Sequence, residues 1–268
     1  MFEPQPDDVA TSLARAETAL GPYAALRYCA EIGSTNDAAM GLALAGAPEG
    51  TSVLADRQTT GRGRRGHSWF SPPESGIYLS VIVRPRLPAD VLPVLTLAAG
   101  VAVAEAIREV TGLVVELKWP NDVVIGRPWR KLAGVLCEGA SAGATIEAVV
   151  VGIGLNVLAT SYPPALASVA SSLETELGRP VDRAPMVVAL LGRLRAIMGH
   201  LRRDGRESIG AAWRDFGRTG FAAARVRWRD ASGDRHGRPL DIDIDGALLV
   251  DVRGRVERVI AGDVMWER

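Results

Sequence analysis

The sequence predicts an α+β fold in two parts: a domain of about 220 residues and a small all-β unit behind it. Three observations predict it. Apolar-periodic segments at 88–110 and 183–203 read as long helices. Runs at 123–125, 131–138 and 145–155, joined by glycine-containing turns, read as an antiparallel meander. From Arg225 the pattern changes to four or five short strands with turns at Gly233, Gly246 and Gly254, which reads as a small separate barrel. That change sets a boundary near Gly220 and two domains, 1–220 and 221–268.

The remaining elements follow in order. Residues 8–20 are weakly helical, and Ser34 is placed to N-cap a helix running through Met40, Leu42 and Leu44. Residues 51–57 form a strand, 61–66 a loop that cannot be regular structure, and 76–84 a β run containing IYLSVIV. After the helix at 88–110, a strand at 113–118 ends at Trp119 and Pro120, and a helix at 207–216 follows the one at 183–203. No internal repeat or low-complexity tract interrupts this order.

Composition removes several function classes. With 47% hydrophobic and 23% charged residues among 268, the chain supports a core and is not disordered. The longest charge-free stretch of the most apolar region, 91–104, is too short to span a bilayer. The opening MFEPQPDD lacks the basic start and apolar core of a signal peptide, so a cytoplasmic location and no membrane partner are expected. Formal net charge is zero, with 31 basic and 31 acidic residues, which opposes a broad cationic face for nucleic acid. Cys29 and Cys137 stand alone, and His67, His200 and His236 lack ligand spacing, so neither a disulfide framework nor a zinc site is expected. Of the 31 basic residues only Lys118 and Lys131 are lysine. A lysine offers a compact point charge where arginine offers a planar fork, which makes these two positions worth following.

Three motifs carry chemistry. GRGRRG at 61–66 combines glycines, which let backbone amides approach an anion, with arginines that bind phosphate or carboxylate in pairs of hydrogen bonds. Trp69 adds an aromatic face for a base. Taken alone, the hexamer also reads as an exposed basic loop or an RNA-binding Arg/Gly tract, and it is not a Walker A loop because no Gly-Lys-Ser/Thr follows. KWPND at 118–122 lies between two strands and offers the charge of Lys118, the two-sided amide of Asn121 and, in Asp122, a hard oxygen ligand for Mg²⁺ beside a polyphosphate. The alternative is a Pro-Asn-Asp turn with a packed Trp119. In KLAGVL, Lys131 opens an apolar strand, either snorkelling at the sheet edge or aimed at an anion in a cleft, and Gly134 falls on the opposite face by parity or near a bend. Two other patterns are rejected. Gly139, Ser141 and Gly143 fit G-x-S-x-G without the helix a nucleophile elbow needs. Asp241, Asp243 and Asp245 begin like a calcium loop, but its twelfth position is Val252.

In wording and order, GSTND at 33, DRQTTGRGRRGHSWFSP at 56, GIYLSVIVRP at 76, KWPNDV at 118, KLAGVL at 131 and VGIGLNV at 151 resemble the biotin protein ligase family. The resemblance runs from about Ile32 to Val157, with a looser fit beyond. It implies a mixed β-sheet catalytic domain flanked by helices, similar to class II aminoacyl-tRNA synthetases, and an SH3-like C-terminal domain. The implied reaction is biotin plus ATP giving biotinyl-5′-adenylate and pyrophosphate, then biotin transfer to a lysine of a biotin carboxyl carrier domain, with Mg²⁺ accompanying ATP. Carried over residue by residue, Ser34, Thr35, Asn36 and Gln58 would hold the polar head of biotin, with Gly134 beside it. Arg62, Gly63 and Arg64 would clasp the carboxylate and phosphate. Trp69 would stack on adenine, Lys118, Asn121 and Asn156 would serve the nucleotide, and Lys131 would sit over the reacting groups as a catalytic residue together with Arg64. His67 occupies a place often basic in relatives. Because 33 residues precede Ser34, too few for the winged helix of biotin-responsive repressors, a monofunctional ligase without specific DNA binding is expected. Oligomeric state and the acceptor carboxylase stay open.

A lipoate-type ligase is the nearest rival. Its dithiolane substrate would leave Ser34, Thr35 and Gln58 without partners, whereas the ureido ring of biotin supplies donors and an acceptor. From another class, an Arg/Gly nucleic-acid module is opposed by the neutral charge and the single short basic tract.

Overall fold

The computed structural model describes residues 2–85, 88–142, 145–217, 221, 224–230, 233–260 and 264–267. Seven strands form one sheet: β1 (Leu26–Ile32), β2 (Ser52–Gln58), β3 (Gly76–Val83), β4 (Glu116–Lys118), β5 (Asp122–Ile125), β6 (Arg130–Ala142) and β7 (Thr145–Asn156). Their order is β1-β2-β3-β7-β6-β5-β4. The expected meander is β5 to β7, and β4 extends it on β5, antiparallel throughout. The sheet is mixed because β1 lies parallel to β2 at its edge. Sequence reading gave no strand at β1, where exposed Arg27 and Glu31 break the apolar run. The strand expected at 113–118 shrinks to three residues, since Val114 is 82% exposed and only Glu116 to Lys118 find partners on β5.

The helices are α1 (Asp7–Leu20), α2 (Thr35–Leu44), α3 (Leu92–Thr111), the short α4 (Leu173–Leu177) and α5 (Arg183–Gly217). Ser34 caps α2 as its position predicts, its hydroxyl accepting from the Asp37 amide at 3.4 Å. The helix expected from residue 88 opens as a 3₁₀ turn, Ala89–Val91, and α3 ends at Gly112, whose left-handed φ of 74° suits glycine. The two helices expected at 183–203 and 207–216 form α5, broken at Gly205 by a φ of 74° and ψ of −171°. By length and composition α5 could cross a bilayer, yet more than half of its apolar window is buried, and it packs on α3 and α1 as a core helix.

Strand parity sorts the sheet into two faces. On β7 the odd residues Val149, Val151, Ile153 and Leu155 join the main core with α3 and α5. The even residues Ala148 and Val150, with Val53 and Ile82, pack under Ala39 and Ala43 of α2. Beyond α2 that second face continues as Gly152 and Gly154, and there the cleft opens.

The C-terminal strands β8 (Arg225–Asp230), β9 (Gly233–Ile242), β10 (Leu248–Val252), β11 (Arg255–Val259) and β12 (Met265–Glu267) form a five-stranded antiparallel sheet in the order β11-β10-β9-β8-β12. Its apolar side, including Trp228, Ile242, Leu248 and Val250, joins the main core. The Trp119 indole donates to the Gly246 carbonyl at 2.9 Å, and Arg206 bridges Asp90 and Asp245. The expected boundary at Gly220 lies outside the described residues. So does Gly143 of the rejected G-x-S-x-G, although β6 and β7 run antiparallel on either side of it. The calcium-like aspartates form a turn in which Asp243 accepts from the Asp245 and Ala247 amides, while Arg258 and Arg214 pair with their carboxylates.

Candidate active site

A cavity of about 240 Å³ opens over the glycine-bearing face of the sheet. Hydrogen-bonded register explains what it contains, because paired residues point to the same side. Across β4, β5, β6 and β7 one row reads Lys118, Asp122, Gly134, Gly154. The next row reads Leu136, Gly152 and, on β3, Ser80. Two cation- or carboxylate-bearing strands therefore meet a floor opened by the glycines at 134, 152 and 154.

Each floor glycine is required by a neighbour. A Cβ at Gly152 would lie 2.1 Å from Asn36 Oδ1, and one at Gly154 would lie 2.4 Å from Trp69 Cε2. At Gly134 it would meet Lys131 Nζ at 3.0 Å and Trp69 Cζ3 at 3.1 Å. Parity alone separates Lys131 from Gly134. β6 carries one extra residue, Leu132, opposite the step from Val123 to Val124 of β5, and this bulge reverses the parity and brings both to the cleft.

At one end the polar side chains interlock. Gln58 Oε1 accepts from the Thr35 amide at 2.9 Å and the Thr35 hydroxyl at 3.0 Å, and Gln58 Nε2 donates to Ser71 Oγ at 3.0 Å. Ser80 Oγ lies 2.8 Å from Thr35 Oγ1 and 2.6 Å from Asn36 Oδ1. These groups are fixed by one another, so their orientation is set before any ligand arrives.

At the other end Lys131 Nζ pairs with Asp122 Oδ1 at 2.6 Å and sits 5.1 Å from the centroid of the Trp69 ring. The indole rests on the backbone of Gly134 and Gly154, and its Nε1 is buried without a hydrogen-bond partner. Asn121 exchanges hydrogen bonds with Val135 through its side chain and its carbonyl, both at 2.9 Å, which pins the 118–122 turn to β6.

The loop at 61–66, expected to hold no regular structure, contains one short turn. Arg64–Gly66 forms a 3₁₀ turn, with Arg65 at a left-handed φ of 54°, and the Gly63 amide donates to His67 O at 2.7 Å. Arg62 meets Asp37 at 2.5 Å and Glu138 at 2.8 Å, which offsets part of the repulsion among the arginines of the loop.

Of the site residues singled out from the sequence, all line this cavity except Asn156. The Asn156 amide donates to the carbonyls of Ser171 at 3.0 Å and Lys131 at 3.4 Å, supporting the strand that presents Lys131. Ser80, Ser71, Asp37 and Glu138 were not anticipated, although strand parity from Gly152 and Gly154 would have pointed to Ser80 and Glu138. Val264, just before β12, also lines the cavity, so the C-terminal unit contributes to its wall. Asp122 is the one carboxylate on that wall among the described residues, which hold no group of three or more metal-ligating side chains. One carboxylate suits Mg²⁺ carried in on a polyphosphate, not a resident ion.

Residues 28–156 match the biotin/lipoate A/B protein ligase family. The bifunctional ligase/repressor BirA of Bacillus subtilis is 35% identical over 89% of this chain and 73% of its own length. The biotin--[acetyl-CoA-carboxylase] ligase of Mycobacterium tuberculosis is 37% identical over 91% of this chain and 89% of its own. Among solved structures, the biotin protein ligase from Aquifex aeolicus in complex with biotin and ATP superimposes with a TM-score of 0.77 at 27% identity, covering 91% of this chain and 98% of that one. Sequence, fold and cleft agree, and the chain belongs to the biotin/lipoate A/B protein ligase family, among its biotin protein ligases.

Proposed function

We propose that this chain is an ATP-dependent biotin protein ligase that makes biotinyl-5′-AMP and then biotinylates a lysine of a biotin carboxyl carrier domain. The observation that carries the reading is the meeting of two environments in one cleft. A hydrogen-bonding wall of Thr35, Asn36 and Gln58 suits a neutral polar head, and the cations Arg64, Lys118 and Lys131 suit a carboxylate beside a polyphosphate. Similarity to ligases whose structures hold biotin and ATP, or biotinyl-5-AMP, supports it.

In the first step a biotin carboxylate oxygen attacks the α-phosphorus of ATP, and the bond to the β-phosphate oxygen breaks to release pyrophosphate. Two anions must approach, and fixed cations lower their repulsion more effectively than water does, being oriented before the reaction. Lys131, held by Asp122, stands over the reacting groups, and Arg64 in the loop closes on them from above. Ser34, Thr35, Asn36 and Gln58 grip the ureido head, and Lys118 and Asn121 serve the nucleotide beside Trp69. Asp122 would hold Mg²⁺, which when bound with ATP neutralises charge on the departing pyrophosphate. In the second step the acceptor lysine amine attacks the acyl carbon, the carbon–oxygen bond to AMP breaks, and an amide forms. No enzyme nucleophile takes part.

The acceptor is the biotin carrier domain of a carboxylase, acetyl-CoA carboxylase or a related one. The reading includes no specific DNA and no membrane, and it puts the chain in the cytoplasm with its ATP and carrier. Pyrophosphate release that requires both biotin and ATP, followed by labelling of a carrier domain, tests it. Equal turnover with lipoate in place of biotin would overturn it, since the polar wall would then confer no selectivity.

A further inference from the structure

Behind the cleft wall, and not lining it, Glu138 Oε2 accepts two hydrogen bonds: from Asn36 Nδ2 at 2.7 Å and from Arg62 at 2.8 Å. The same Arg62 nitrogen reaches Asp37 Oδ1 at 2.5 Å. Three segments distant in sequence are thus tied at one guanidinium: the first turn of α2, the strand β6 and the arginine loop. A ligand anion arriving at that guanidinium would meet two fixed carboxylates at hydrogen-bond distance from it, and their repulsion opposes its entry. Arg62 is therefore poorly placed to clasp a ligand with its side chain and well placed to hold down the loop that carries Arg64.

We propose that Glu138, together with Asp37, is a positioning residue that latches the arginine loop over the cleft through Arg62, dividing the loop's arginines into a tether (Arg62) and a ligand-facing clamp (Arg64). The arrangement also fixes Asn36, since the amide nitrogen held by Glu138 turns the amide oxygen toward Ser80 over Gly152. The catalytic consequence rests on the ligase reading, but the latch itself does not. With the loop tethered in advance, biotinyl-adenylate forms under a closed cover and is held there until the carrier lysine arrives.

The test is limited trypsin digestion of the full chain without ligands, following cleavage after Arg64 and Arg65, beside the lifetime of preformed enzyme-bound biotinyl-adenylate. Glu138→Gln keeps an oxygen for Asn36 and loses the charge that holds Arg62. It is expected to speed cleavage about 3-fold, and Asp37→Asn with Glu138→Gln about 10-fold, as befits partly exposed ion pairs. The adenylate should escape faster in the same order. In an Arg62→Gln background, where the tether is already cut, Glu138→Gln should add nothing. Should Glu138→Gln melt well below the wild type, Arg62→Gln, a change at an exposed position, must by itself reproduce the faster cleavage. Unchanged cleavage in Glu138→Gln, or equal increments with and without Arg62, overturns the latch. A wild-type chain that forms no biotinyl-adenylate would instead sink the ligase reading and leave the cleavage result intact.

Discussion

Replacing Gly154 by alanine puts a methyl group 2.4 Å from Trp69 Cε2, 2.6 Å from its Nε1 and 2.8 Å from its Cζ2. Ordinary carbon contacts need about 3.5 Å, so something must recede by about 1 Å. The strand will not give way, because β7 is held between β3 and β6 along nearly its whole length. Trp69 is only half-buried and belongs to the loop, so it moves. It cannot move alone: its amide donates to Gly61 O at 2.8 Å, and its carbonyl would lie 2.6 Å from a Cβ on Gly61. The loop and Arg64 are carried with it. A yielding, partly exposed neighbour puts the stability loss at the low end for overpacking, about 1 kcal/mol, or a fall in Tm of roughly 2–4 °C. A 1 Å misplacement of reacting groups, by contrast, can cost about 100-fold in rate. Gly154→Ala should therefore melt close to the wild type while losing about two orders of magnitude in kcat/KM for biotin, measured by pyrophosphate release. Gly154→Ala combined with Trp69→Leu should regain the lost stability, since the clash is gone. Near wild-type kcat/KM in Gly154→Ala, or no regain in the double variant, refutes the argument.

Lys131→Ala should lower adenylation by about 100-fold or more at saturating ATP and biotin, with a small change in Tm, because the ammonium supplies charge and not packing; pyrophosphate release near the wild-type rate would remove it from the mechanism. Arg64→Gly should retain measurable adenylation but leak the intermediate, so that a lysine-rich bystander protein is labelled alongside the carrier. An unchanged bystander-to-carrier ratio in an active variant would reduce Arg64 to a role in ATP binding. Cys137 lies half-buried on β6, and desolvation pushes its thiol up to about 12, so it is almost wholly protonated at pH 8. Alkylation by iodoacetamide at pH 8 should be far slower than for a free cysteine thiol and should rise with pH; rapid modification would contradict the desolvated placement.

Much of the fold follows from local signals that need no partner. Ser34 caps α2 because a hydroxyl before an apolar-periodic segment satisfies a free amide, and Gly205 breaks α5 because a left-handed φ strains any side chain. The meander of β5, β6 and β7 is legible from its apolar runs and turns. β1 is not, since an edge strand with charged residues on one side owes its existence to a parallel partner distant in sequence.

For the site, the sequence by itself offered the chemistry: a glycine and arginine loop suited to anions, the chain's two lysines set close together and, through the family resemblance alone, Ser34, Thr35 and Gln58 as partners for a ureido head. The tertiary structure decided which groups act on which. It put Asn156 behind Lys131 and not at the cleft, because a buried amide between two carbonyls is held by them. Through a bulge it turned Lys131 to the face of Gly134, since one extra residue reverses side-chain parity and no local pattern announces it. It brought Asp37 and Glu138 to Arg62 across 25 and 76 residues of chain. Pairings at that separation are set by sheet register and helix packing, so composition and spacing could predict the arginines but not the carboxylates that hold one of them.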